Sequence, residues 1–184
     1  MEENEVSTIL KVAIKLVKLM DKGADSMLPQ EIVDIVKLHS KLALASAWIP
    51  VPGADLAAGA ASIWGMYIRI NNKIGLKVQD NIIKTVASGV ATNLASYAAV
   101  SGVASALKFI PGIGTITGAI AMSATTYAMT LASGYVYLKA LVYLAERNNG
   151  TVDFSGLSEA VKSVLAEKSS IKELIDTAKR NYKK

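Results

Sequence analysis

A nearly uncharged centre is the feature that most limits what this chain can fold into. Residues 42–138 carry only seven charged side chains, and the run 85–138 carries one, Lys108. The flanks 1–41 and 139–184 are rich in charge, with net charges of −1 and +3. Over the whole chain 19% of residues are charged, against about 25% in ordinary soluble domains. This distribution is typical of a membrane-inserting protein or of a soluble helical bundle with a very dry core.

The apolar pattern predicts an all-α fold of about six or seven helices, built around two apolar helical hairpins with Pro-Gly tips. No stretch alternates apolar and polar residues as a strand would. The length predicts a single domain over 1–184, with amphipathic N-terminal helices in 1–41, the apolar hairpin core in 42–147 and amphipathic C-terminal helices in 148–184. Helices are predicted over about 6–22, 30–47, 54–73 and 81–109, from the break at 111–114 to about 147, and over two C-terminal stripes. Ser170 and Glu173 predict a capping box at the start of the last one.

The two hairpin tips share a motif of aromatic residue, Ile, Pro and Gly. The first tip contains Pro50, Pro52 and Gly53, followed by Asp55, and the second contains Pro111, Gly112 and Gly114. Small residues recur at four-residue spacing in the adjoining helices, which lets helix backbones approach closely in lipid and equally in a tight soluble bundle.

Basic residues at both feet of the second hairpin favour a membrane interpretation, because cytoplasmic loops are enriched in Lys and Arg. Its arms, 85–107 and 112–138, exceed the roughly 20 residues that cross a bilayer. Interfacial aromatic residues are expected near segment ends, although core packing would place them there as well. The residues in such positions are Trp48, Trp64, Tyr135, Tyr137 and Tyr143. The candidates for contact with membrane lipids are Lys11, Lys15, Lys18, Lys22, Trp48, Trp64, Arg69, Lys73, Lys77 and Lys84.

Little in the sequence predicts catalysis. The single histidine, His39, has no second metal ligand at a useful spacing and is expected to be solvated or hydrogen-bonded. The glycines around Ile113 lack the strand and the Lys-Ser/Thr ending of a phosphate loop. Asp55 is interpreted either as a helix cap or as an ion site in an apolar hairpin. The sequence therefore predicts a non-enzymatic protein with no catalytic residue, metal site or cofactor, and its dispersed basic residues do not indicate nucleic-acid binding.

The two Ile-Pro motifs resemble those of a bacterial helical domain of unknown function, often fused behind Era-like GTPase modules and also found in YcjF-type membrane proteins. The similarity covers about residues 40–145, and this chain has no GTPase module of its own. The residues that carry it are Ser46-Ala47-Trp48-Ile49-Pro50-Val51-Pro52-Gly53-Ala54-Asp55 with Ile63, Met66, Tyr67, Arg69, Ile70 and Gly75, and Leu107-Lys108-Phe109-Ile110-Pro111-Gly112-Ile113-Gly114 with Ala124-Thr125-Thr126-Tyr127-Ala128. The resemblance implies a helical, membrane-associated module that partners GTPases.

These features lead to one principal hypothesis and one alternative. The principal hypothesis is a membrane-associating helical protein whose apolar hairpin, 81–147, inserts into or packs on the cytoplasmic face of a bacterial inner membrane. Membrane lipids are its expected partners, and a separately encoded GTPase and a second copy of the chain are left open. The acidic first residues do not fit a secretory signal, so the chain is expected to stay in or face the cytoplasm. The alternative is a soluble cytoplasmic bundle that binds a lipid or another apolar ligand.

Overall fold

The computed structural model describes residues 34–35, 38–39, 54–100, 116–150 and 152–181. These residues are 87% helical and include no strand, which confirms the all-α prediction for this part of the chain. Residues 34, 35, 38 and 39 are helical. The longer elements are α1 (Ala54–Ile74), α2 (Asp80–Val100), α3 (Ile116–Arg147), a 3₁₀ turn (Phe154–Gly156), α4 (Leu157–Leu165) and α5 (Lys168–Asn181). The total of six or seven helices and the geometry of the hairpin tips stay predictions.

Helix α1 ends at a glycine, as the sequence indicates. Gly75 has a positive φ of 76°, a backbone conformation that glycine adopts without strain. The N–H of Leu76 then donates to the carbonyl of Asn71 at 2.9 Å, which closes the end of the helix. A connector of four residues, 76–79, leads into α2, which packs against α1 as the second arm of a helical hairpin.

Helices α1 and α3 run parallel, and two side-chain hydrogen bonds fix their register. Tyr67 bonds to Ser133 and Asn71 to Tyr137, so each pair is separated by the same 66 residues. Helix α3 continues past the level at which α1 ends, and there α4 and α5 pack against it. Its own end is closed by Gly150, which has a φ of 91° and whose N–H donates to the carbonyl of Ala145 at 2.7 Å.

Helix α3 forms the centre of the described core. Among the described residues, Ala128–Arg147 is the one stretch long and apolar enough to cross a bilayer, and 83% of it is buried within the protein. The predicted arm 112–138 and this stretch overlap only in part, and residues 101–107 of the other arm lie outside the described ranges. Four of the small residues at four-residue spacing are buried, Ala87, Ala91, Ala128 and Ala132, whereas Ala61 is exposed.

The predicted capping box at the last helix is wrong. Helix α5 begins at Lys168, so Ser170 is already inside its first turn. The N–H of Ile171 donates to the carbonyl of Glu167 at 3.1 Å, which makes Glu167 the residue that precedes the helix.

Candidate membrane-binding surface

Several residues predicted to contact lipid lie outside the described ranges. They are Lys11, Lys15, Lys18, Lys22 and Trp48, together with the hairpin-tip residues Pro50, Pro52, Gly53, Pro111, Gly112 and Gly114. The backbone of Asp55 occupies the second position of α1, within the first turn, where a negative charge is favoured by the helix dipole. Its side chain is not among those described, so both interpretations of Asp55 stay open.

The remaining predicted basic residues gather where α1 turns into α2. We call Arg69, Lys73, Lys77 and Lys84 the connector basic surface; all four are exposed. Arg69 and Lys73 lie one turn apart on α1, Lys77 lies in the connector, and Lys84 lies in the second turn of α2. Asp80 is the one acidic residue in the segment 69–84, which therefore has a net charge of +3.

Trp64 contacts one member of the connector basic surface, Lys84. The Lys84 Nζ lies 5.7 Å from the centroid of the Trp64 ring, within the range of a cation–π contact. Arg69 follows Trp64 by five residues, so it projects about 140° further around α1. The predicted lipid-contact residues of α1 and α2 therefore form two groups on different sides of the hairpin, one at Trp64 and Lys84 and one at Arg69 and Lys73.

The outer face of α2 is polar but uncharged from residue 85 to residue 96. Ser88, Thr92 and Asn93 are exposed there. Thr92 donates its hydroxyl to the carbonyl of Ser88 at 2.9 Å, and Asn93 donates its amide to the carbonyl of Gly89 at the same distance. Because these groups bond within their own helix, their desolvation costs less than that of free polar groups.

The aromatic residues expected at an interface differ in their exposure. Tyr135 and Tyr137 are buried, so core packing accounts for both, whereas Tyr143 is 45% exposed. Lys139, one of the predicted basic feet, is held by the protein: its Nζ donates to the Tyr135 hydroxyl at 2.8 Å and to Glu167 at 2.9 Å. The charge of Lys139 is thus paired between α3 and the start of α5.

A buried polar cluster links α1 to α3, and sequence reasoning missed it. The Tyr67 and Tyr137 rings stack with centroids 4.1 Å apart. Tyr67 donates to the carbonyl of Ser133 at 2.9 Å, and Tyr137 donates to the Oδ1 of Asn71 at 2.8 Å. Burial raises the pKa of Tyr67, so its hydroxyl stays protonated and donates this bond. Each helix carries two of these polar residues at a four-residue spacing inside an apolar stretch, a signal that could have found the cluster.

His39 packs against α1, and the sequence-based prediction for its ring is wrong. The residue is only 5% exposed, and neither ring nitrogen makes a hydrogen bond of ordinary geometry within the described residues. The ring occupies the space above Gly65, where an added Cβ would lie 2.8 Å from its Cε1. Ser62 donates its hydroxyl to the His39 backbone carbonyl at 2.8 Å. The prediction failed because Gly65, 26 residues away in sequence, provides this space.

The described residues bring no three His, Asp or Glu side chains close enough to hold a metal ion. Their arrangement is that of a helical bundle with a mostly apolar core, a basic connector between α1 and α2 and an uncharged polar face on α2 beside it. No family model matches the chain. No solved structure matches it either.

A curated relative provides the remaining comparison. The chain is 29% identical over 107 residues to a protein of Magnetospirillum gryphiswaldense called magnetosome membrane protein 22. The similarity covers 58% of this chain and 55% of the relative, so the chain spans about half the length of the curated protein it matches.

Proposed function

We propose that this chain is a non-enzymatic, membrane-associating helical protein that the connector basic surface holds against an anionic lipid surface. The observation that carries the proposal is the exposure of Arg69, Lys73, Lys77 and Lys84 around the α1–α2 connector, a segment in which Asp80 is the one acidic residue. The name of the relative, a magnetosome membrane protein, supports the same class of function.

The expected strength of this contact follows from its charge. Each basic residue near an anionic bilayer contributes about 1 kcal/mol, and the attraction decays within a Debye length of about 10 Å at 0.1 M salt. Neutralising three of the four residues removes about 3 kcal/mol, which corresponds to a roughly 100-fold weaker binding. Binding of this kind also weakens as salt is added.

In the predicted hairpin 81–147, the burial of the second arm favours a protein that packs on the membrane over one that inserts into it. The stretch Ala128–Arg147 is 83% buried against other helices. Lipid could reach the buried residues of this stretch only after the helices that pack against α3, which are α1, α2, α4 and α5, had moved away. We therefore expect a surface-bound protein on the cytoplasmic face of a bacterial membrane, which alkaline carbonate extracts.

Vesicle sedimentation tests the proposal. We expect the protein to sediment with vesicles of phosphatidylcholine mixed with phosphatidylglycerol, and to stay in solution with vesicles of phosphatidylcholine alone. The triple substitution Arg69→Gln, Lys77→Gln and Lys84→Gln should weaken sedimentation with the anionic vesicles by about two orders of magnitude, because it removes three exposed positive charges.

A second triple variant provides the matched control. Lys162, Lys168 and Lys172 are exposed on α4 and α5, so changing them to Gln removes the same net charge outside the connector basic surface. We expect this variant to bind nearly as well as the wild type. An equal loss in both triples would contradict a specific surface, and sedimentation with neutral vesicles that survives carbonate would show that the apolar hairpin inserts.

The alternative function is a soluble bundle that binds a lipid or another apolar ligand. The burial of Ala128–Arg147 supports it, because the apolar helices of a soluble bundle pack against one another. It would purify without detergent, stay off all vesicles and carry a lipid detectable by native mass spectrometry. The GTPase partner implied by the family resemblance stays a separate prediction. A pull-down from a cell lysate that recovers no nucleoside triphosphatase would count against that partner.

A further inference from the structure

The environment of the His39 ring at Gly65 favours the neutral form of the imidazole over the protonated form. The ring is buried, lies directly above a residue that has no side chain, and makes no hydrogen bond of ordinary geometry within the described residues. A positive charge placed there would lose most of its hydration, and the backbone of Ser62 offsets that loss only in part, so burying the charged ring costs more than burying the neutral ring.

Charge on α1 disfavours the protonated ring further. Arg69 follows Gly65 by one helical turn, so it lies on the same side of α1 as the ring. Within the described elements packed around the ring, Arg69 is the charged group that acts on it. Burial, followed by Arg69, lowers the pKa of His39, and the backbone of Ser62 partly offsets them.

We propose that the His39–Gly65 contact is a proton-operated latch: protonation of the ring releases His39 from α1, and the rest of the described bundle stays folded. Release would uncover the face of α1 that contains Ser62 and Gly65. The latch rests on the His39–Gly65 contact and not on the proposed lipid binding, so failure of the membrane proposal would leave it standing.

The direction of the pH effect follows from proton linkage. The bound state favours the neutral ring, whereas the released ring titrates near its ordinary pKa of about 6.5. The closed latch is therefore fully favoured above about pH 6.5 and weakens as the pH falls towards the lowered pKa of the packed ring. Over that interval the ratio of released to closed molecules rises by up to about tenfold for each pH unit.

Single cysteines can report the state of the latch, because the chain contains no cysteine of its own. Ser62→Cys places a thiol under the His39 contact, where Ser62 is 8% exposed. Ser88→Cys places one on the exposed face of α2. The reaction rates of both variants with dithiodipyridine are measured from about pH 8 to about pH 5, and their ratio cancels the pH dependence of thiol chemistry itself. We expect the relative rate of the Ser62→Cys variant to rise several-fold below about pH 6.5.

Two controls make this result specific to the latch. Adding His39→Gln to the Ser62→Cys variant should make the ratio independent of pH, whether the Gln side chain docks or not, because Gln does not titrate. A thiol at Ala160→Cys, buried in the core at 2% exposure, should stay protected throughout. A ratio that stays constant in the wild-type background, a rise that persists with His39→Gln, or exposure of Ala160→Cys in parallel would overturn the proposal.

Adding Gly65→Ala to the Ser62→Cys variant opens the latch without protons. The methyl group would occupy the space of the His39 ring. We expect a high reaction rate for the Ser62→Cys thiol already near neutral pH, with little further increase on acidification. A protected thiol in this double variant would contradict the latch geometry.

Discussion

Replacing Gly65 with alanine tests whether the His39 ring is seated as described. Inside a helix, alanine is favoured over glycine by about 1 kcal/mol, so Gly→Ala stabilises wherever the methyl group has room. At Gly89 nothing lies within 4 Å of an added Cβ, whereas at Gly65 the His39 Cε1 lies at 2.8 Å. That distance is too short for two carbon atoms, so the buried ring must move, and overpacking of this kind costs about 1–3 kcal/mol.

The expected outcome is a difference in sign between the two substitutions. Gly89→Ala should raise the free energy of unfolding by about 1 kcal/mol, and Gly65→Ala should lower it by up to about 2 kcal/mol. In a chain of this length each kcal/mol shifts the Tm by roughly 2–4 °C, which thermal unfolding followed by far-ultraviolet circular dichroism resolves. Urea unfolding gives the same comparison independently.

A double-mutant cycle separates the clash from other effects of the Gly65 substitution. With His39→Ala in place the ring is gone, so Gly65→Ala should now stabilise the helix as Gly89→Ala does. If Gly65→Ala raised the Tm in the wild-type background as much as Gly89→Ala does, the ring could not lie above Gly65. Equal effects with and without His39 would refute the reasoning in the same way.

Two further predictions concern contacts between helices. Tyr137→Phe should destabilise the fold by about 1–3 kcal/mol, because it leaves the buried Oδ1 of Asn71 without the hydroxyl that donates to it. Tyr67→Phe should cost less in the same urea titration, since the Ser133 carbonyl that it abandons belongs to the backbone of α3. Glu167→Gln should cost about 0.5–1 kcal/mol, because it weakens the half-covered pair with Lys139, whereas Glu159→Gln should change the Tm little because its pair with Lys162 is open to solvent. An equal loss of stability for Tyr137→Phe and Tyr67→Phe would contradict the first comparison. An equal loss for Glu167→Gln and Glu159→Gln would contradict the second.

Local signals in the sequence located most helix ends. The predicted helix over 54–73 agrees with the observed α1, Ala54–Ile74, to within one residue. The agreement is close because the turn that ends the helix depends only on the backbone freedom of Gly75 itself. The end of α3 at Arg147 follows in the same way from the Asn-Asn-Gly sequence. The start of α5 was missed because Ser170 and Glu173 satisfy the capping pattern without occupying the capping position. A short motif gives the chemistry of a cap, and only the path of the chain decides which residue takes that role.

The candidate surface was predictable in its residues and not in its arrangement. The basic character of 69–84 is visible in the sequence, but the separation of Trp64 and Lys84 from Arg69 and Lys73 depends on how α1 and α2 are rotated against each other. The Tyr67–Ser133 and Asn71–Tyr137 pairs, each 66 residues apart, could not be assigned without the register of α1 and α3.

The sequence by itself determined that this chain is helical where it is described, that its centre is nearly free of charge and that basic residues mark the α1–α2 connector. These are properties of composition and of spacing along one helix. The tertiary structure decided which apolar faces meet, and it places 83% of Ala128–Arg147 inside the protein. The physical reason is that lipid and a neighbouring helix select the same apolar residues, so only the packed partners of α3 distinguish them. Tertiary packing also placed the His39 ring above Gly65, a contact between residues far apart in sequence.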